Sequence, residues 1–82
     1  MIKVKFFGVG RLEVGKTPFE VEAKTIKELI AVMAKTQEKY KEADLKKFLV
    51  YINEVPIKKL KMYRSTLKDG DVVMFMSPAS GG

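Results

Sequence analysis

Few residue types in this chain of 82 residues are equipped for bond-making chemistry. It contains neither cysteine nor histidine, which excludes thiol nucleophiles, zinc and iron–sulfur sites built on those ligands, and serine–histidine triads. The carboxylates are Glu13, Glu20, Glu22, Glu28, Glu38, Glu42, Asp44, Glu54, Asp69 and Asp71. None is embedded in an apolar run that would raise its pKa into the range for proton transfer. Asp69 and Asp71 flank Gly70 and read as turn residues. Gly8-Val9-Gly10 is not followed by a helix start, so it makes a poor phosphate cradle. No metal site is expected, and no bound cofactor.

What remains is the end of the chain, Ser77-Pro78-Ala79-Ser80-Gly81-Gly82. Glycine has no side chain to clash and tolerates any φ, so a Gly81-Gly82 end can thread a narrow channel into a partner's active site. Pro78 cannot extend a strand ladder and stiffens the base of such a tail. Six extended residues span at most roughly 20 Å, enough to reach a buried site while the body stays docked outside. The chemistry would then fall on the Gly82 carboxylate, with Gly81 beside it, and the partner would supply the catalytic groups. The alternative reading is an incidental frayed end.

Such a tail needs a body to carry it. Ile2, Val4 and Phe6 alternate with Lys3 and Lys5, the period of a strand with one apolar face. Gly8, Gly10, Gly15 and Pro18 punctuate a returning loop. Phe19 and Val21 alternate with Glu20 and Glu22, predicting a second strand whose acids face Lys3 and Lys5. Thr25-Ile26-Lys27-Glu28 has the form of a capping box. The stripe Ile26, Leu29, Ile30, Met33, Ala34 then predicts one helix from about 26 to 38, with that stripe in the core. Residues 40–47 predict at most a helical turn carrying Leu45 inward. Phe48 to Asn53 reads as a strand, Asn53-Glu54 as a turn, and Val55-Pro56-Ile57 as a short edge segment. Leu60, Met62 and Leu67 are expected to anchor the irregular stretch 58–68. A turn at 68–71 and the apolar run Val72 to Met76 complete the order.

A hairpin followed by a helix, rather than single strands alternating with helices, argues against a doubly wound sheet. The expectation is one α+β domain over residues 1–76, with one main helix on a mixed sheet of four or five strands. The first and last strands are central parallel neighbours, and residues 77–82 form a flexible tail. With Val73 and Phe75 inward, Val72, Met74 and Met76 face outward beside Phe7. That is a Met-rich apolar patch suited to docking a partner. The opposite register would present Val73 and Phe75 instead.

Lysine supplies fourteen of the sixteen basic residues, and the net charge is +6. This describes a solvated surface or an acidic partner. The scarcity of arginine argues against sequence reading on nucleic acid. The start MIKVKFF is no signal peptide, and no apolar run approaches the ~20 residues of a membrane span. The expected compartment is the cytoplasm, with no membrane partner.

Together the start MIKVKFF, the helix opening T-I-K-E-L, the strand V-Y-I-N-E, the turn L-K-D-G-D-V-V and the end P-A-S-G-G resemble the MoaD/ThiS family of ubiquitin-like sulfur carriers. The molybdopterin synthase small subunit is the nearer relative. The likeness runs through essentially the whole chain, with a looser match to the family loop at Gly8 to Gly15. The resemblance implies a β-grasp fold and a carrier that is not catalytic alone. It implies adenylation of Gly82 by a ubiquitin-activating-like enzyme of the MoeB/ThiF type, which uses ATP and Mg²⁺. A persulfide donor then yields a thiocarboxylate. It further implies insertion of Pro78, Ala79, Ser80, Gly81 and Gly82 into a MoaE-like large subunit, with Phe7, Val72, Met74 and Met76 at the docking surface. Thiamine synthesis, tRNA thiolation and ubiquitin-like modification of lysines are alternatives within the family. A basic nucleic-acid-binding or adaptor module is the alternative outside it.

Overall fold

Apolar alternation, one capped helix and a Gly-centred turn are enough to build a single-helix sheet domain. The computed structural model describes residues 1–7, 19–36 and 41–76. The strands are β1 (Ile2–Phe7), β2 (Phe19–Val21), β3 (Leu49–Ile52), β4 (Val55–Pro56) and β5 (Val72–Met76). The helices are α1 (Ile26–Thr36) and the single turn α2 (Glu42–Leu45). Short 3-10 turns at Ile57–Lys59 and Met62–Arg64 lie between β4 and β5.

The strand order is β2-β1-β5-β3-β4. β1 and β5 pair in parallel in the interior of the sheet, and the other neighbours are antiparallel. This is the α+β arrangement that the element order predicts, and the β-grasp fold that the family resemblance implies. Lys3 lies directly opposite Glu20, so one of the expected cross-strand charge pairs is in register. The returning loop at 8–18, the last residues of the expected helix at 37 and 38, and the tail at 77–82 lie outside the described residues.

Thr25 caps α1, its Oγ1 accepting from the Glu28 amide at 3.2 Å. Glu28 reaches one residue further back than a capping box requires: its Oε1 accepts from the Lys24 amide at 3.1 Å. The backbone on either side of Thr25 is tied to the segment before β5. The Leu67 amide donates to the Lys24 carbonyl at 2.8 Å, and the Ile26 amide donates to the Ser65 carbonyl at 3.1 Å.

Ile26, Leu29, Ile30 and Met33 are buried along α1 and meet Ile2, Val4, Phe6, Val50, Ile52, Val73 and Phe75 from the sheet. Leu45 at the end of α2 closes one end of this core. Phe6 and Phe75 stack at 5.2 Å between ring centroids, and Phe48 meets both edge-on at 5.7 and 6.1 Å. Ring geometries of this kind add to the area they bury. Leu67 is buried as expected, but Leu60 and Met62 are 45% and 42% exposed. The two 3-10 turns place Ile57 and Leu67 against the core instead, and Leu60 and Met62 face solvent.

Candidate functional site

The site begins with the pleat of β5. Val73 and Phe75 are fully buried, while Val72, Met74 and Met76 are half-buried on the other face. The register of β5 against its neighbours decides this. Parallel pairing sets Lys3 beside Val72, Lys5 beside Met74 and Phe7 beside Met76. Antiparallel pairing sets Met76 beside Leu49 and Met74 beside Tyr51. Directly opposed residues share a face, so the face away from α1 is organised in rows.

Phe7, Met76 and Leu49 form one row across three strands. Lys5, Met74, Tyr51 and Pro56 form the next. Glu20, Lys3 and Val72 form a third, at the polar end. The face therefore grades from charged to apolar along β5, and its apolar row lies at the end from which residues 77–82 follow. β1 and β5 run parallel, so Phe7 and Met76 both close their strands at this edge.

All four body residues expected to dock, Phe7, Val72, Met74 and Met76, lie on this face. Two contributors were not singled out in the sequence. Leu49, 46% exposed, and Tyr51, half-buried, extend the apolar surface onto β3. The signal available was alternation of Leu49 and Tyr51 against Val50 and Ile52, but all four are apolar and only pairing with β5 tells the faces apart. Pro78, Ala79, Ser80, Gly81 and Gly82 lie outside the described residues.

Among the described residues, no group of three or more acidic side chains is close enough to hold a metal ion, and no helix is long and apolar enough to cross a membrane. The geometry is thus a sheet face with an apolar end next to the start of the C-terminal segment.

The model of the ThiS family matches residues 4–82. The chain belongs to the ThiS family. A ThiS-family domain of this kind is a sulfur carrier of the MoaD/ThiS type. The chain is also similar to a chain of the solved protein–protein complex of subunits 1 and 2 of molybdopterin-converting factor from Helicobacter pylori 26695. The two share 25% identity, with a TM-score of 0.65, and the match covers 99% of this chain and 97% of the other. No curated protein sequence gives a significant match.

Proposed function

We propose that this ThiS-family carrier holds sulfur as a thiocarboxylate on Gly82 and delivers it to a large subunit during synthesis of molybdopterin. The similarity to a chain of a two-subunit molybdopterin-converting factor supports this reading over the thiamine and tRNA routes. The apolar row Phe7, Met76 and Leu49 is the observation that carries it. An apolar surface at the foot of the C-terminal segment suits a body that docks on a partner while its last residues reach inside.

The chemistry follows from the weakness of a carboxylate as an electrophile. An oxygen of the Gly82 carboxylate attacks the α-phosphorus of ATP, and pyrophosphate leaves. A sulfur nucleophile then attacks the acyl carbon, and AMP leaves with the shared oxygen. An adenylating enzyme supplies the ATP and Mg²⁺ site. A dry channel in the partner protects the activated acyl group from water, and a cation there would hold the terminal charge. Glycine at 81 and 82 lets the chain end lie in such a channel without steric conflict. Pro78 has no backbone N–H with which to continue a strand ladder.

Incubation with a cognate adenylating enzyme, ATP and sulfide tests the reading by intact-mass spectrometry. The expected product has one oxygen of the chain replaced by one sulfur. Deleting Gly81 and Gly82 removes the product and leaves the melting temperature unchanged. An intact chain that no such enzyme adenylates would overturn the proposal.

A further inference from the structure

Residues 55–68 contain Lys58, Lys59, Lys61, Arg64 and Lys68 and no acidic residue. The cations are therefore clustered on residues 58–68, ahead of Asp69 and Asp71 in the turn before β5. The segment is also ordered by its own backbone. The Leu60 amide donates to the Ile57 carbonyl at 2.9 Å, the Arg64 amide to the Lys61 carbonyl at 3.0 Å and the Ser65 amide to the Met62 carbonyl at 3.1 Å. Ser65, 3% exposed, accepts from the Lys61 amide on Oγ at 3.0 Å. Its carbonyl takes the first amide of α1.

These bonds hold an open groove of about 590 Å³ lined by Lys59, Leu60, Lys61, Arg64, Ser65 and Thr66. It is tied to the start of α1, on the helix side of the sheet, away from the face carrying Met74 and Met76. Two large apolar side chains are left in water here, Leu60 and Met62. Met62 also sits at φ 51, a left-handed backbone that an unbranched apolar residue rarely adopts without tertiary support. Cations around an exposed leucine describe a surface that recognises more than charge.

We infer that this groove is a second docking site, and that its occupant is an acidic protein segment in which carboxylates alternate with apolar side chains. Charge complementarity sets the sign: Lys59, Lys61 and Arg64 present donors for carboxylates, with no acidic residue on the same segment to compete. Leu60 calls for an apolar side chain between those carboxylates. A nucleic-acid backbone fits less well. The groove has a single arginine fork for phosphate, and its nearest aromatic, Tyr63, is committed. Tyr63 donates its hydroxyl to the Lys46 carbonyl at 3.2 Å, and its ring lies under the Lys46 ammonium at 5.5 Å. Base stacking needs an aromatic face that is open. This site is independent of the chemistry at Gly82, and both faces can be occupied at once.

The probe is a short synthetic peptide in which aspartate and glutamate alternate with leucine, titrated into the ¹⁵N-labelled full chain. Amide shifts are expected to centre on residues 59–66 and to spare β1 and the outer face of β5. The charge reversal K59E/K61E/R64E should weaken binding at least about tenfold, since three attractive contacts become repulsive. L60S, at an exposed position, should weaken it about threefold to tenfold through lost apolar burial alone. Far-UV circular dichroism and melting check each variant. If the triple variant melts early, L60S and the shift map on the unaltered chain still decide. Shifts scattered over remote lysines such as Lys3, Lys35 and Lys41, an unchanged affinity in L60S, or tighter binding of an oligouridylate to the same residues would each overturn the inference.

Discussion

Asn53 and Asp71 pin two turns together: the Asn53 Nδ2 donates to Asp71 Oδ1 at 3.0 Å, and the Val72 amide returns a bond to Asn53 Oδ1 at 3.0 Å. Asp71 Oδ2 also accepts from the Lys68 amide at 2.8 Å, closing the turn that precedes β5. The Asn53 amide donates to the Val72 carbonyl at 2.8 Å, and the Lys3 amide to the Asp71 carbonyl at 2.9 Å. The pair therefore joins the β3–β4 turn, the start of β5 and the start of β1. A strand that slips by one residue turns every side chain to the other face. This pin helps hold Val73 and Phe75 inward and Met74 and Met76 outward.

Breaking the pin should cost stability in a graded way. Asn53 has φ 49, a conformation asparagine tolerates better than most residues. N53A loses both the side-chain bonds and that tolerance, and is expected to cost about 2–3 kcal/mol. N53G loses only the bonds and should cost about 1 kcal/mol less than N53A. D71A should cost about 1–2 kcal/mol. In N53G/D71A the two losses should fall short of additivity by about 0.5–1 kcal/mol. Urea unfolding of the four variants measures all of this, and strictly additive losses would remove the coupling.

The same turn offers a stabilising substitution. Glu54 follows Asn53 at φ 71, between the paired residues Ile52 and Val55. Two-residue hairpin loops with both φ positive favour asparagine followed by glycine. E54G should therefore raise stability by about 0.5–1 kcal/mol, read as a higher urea midpoint at unchanged slope. A lower midpoint would show that the Glu54 side chain contributes more than its backbone strain costs.

Phe75 is the inward-facing residue of β5 between the outward-facing Met74 and Met76. It is fully buried, stacked on Phe6 and edge-on to Phe48. F75A should cost about 3–5 kcal/mol through lost burial and the cavity left behind. A domain of this size has about 5–15 kcal/mol in total. The variant is expected to melt early and to show widespread loss of amide protection in hydrogen exchange. A loss below about 1 kcal/mol would mean that the aromatic cluster is not the centre of the core.

Met74 lies in the middle of the outer face, between Lys5 and Tyr51. M74E leaves the core untouched and is expected to change the melting temperature little. On the proposed function it should weaken association with the large subunit, because the apolar contact of Met74 is lost and a carboxylate, even one beside Lys5, is costly to take out of water. Isothermal titration calorimetry with that subunit decides the matter, and retained affinity would place the interface elsewhere. K35E, on the last turn of α1, is the matched control and should bind normally.

Much of this molecule was determined by local patterns. Alternation along Ile2–Phe7, the Thr25 cap and the Ile26, Leu29, Ile30, Met33 stripe are short-range signals. Each depends on one or two turns of backbone, so the sequence alone was enough to predict β1, α1 and most of the core. The paired elements, the minor strand at Val55–Pro56 and the turn at Gly70 were legible for the same reason. Tertiary structure decided three other matters. Val72 to Met76 is apolar throughout, so only its pairing with β1 and β3 sorts the buried residues from the outer ones. Leu49 and Tyr51 joined the outer face through that pairing. Leu60 and Met62 were expected inside because they are large and apolar, yet the bonds of Ser65 and the start of α1 leave them in water among cations. Burial of an apolar residue in irregular backbone depends on where distant segments tie that backbone down, and no local period records it.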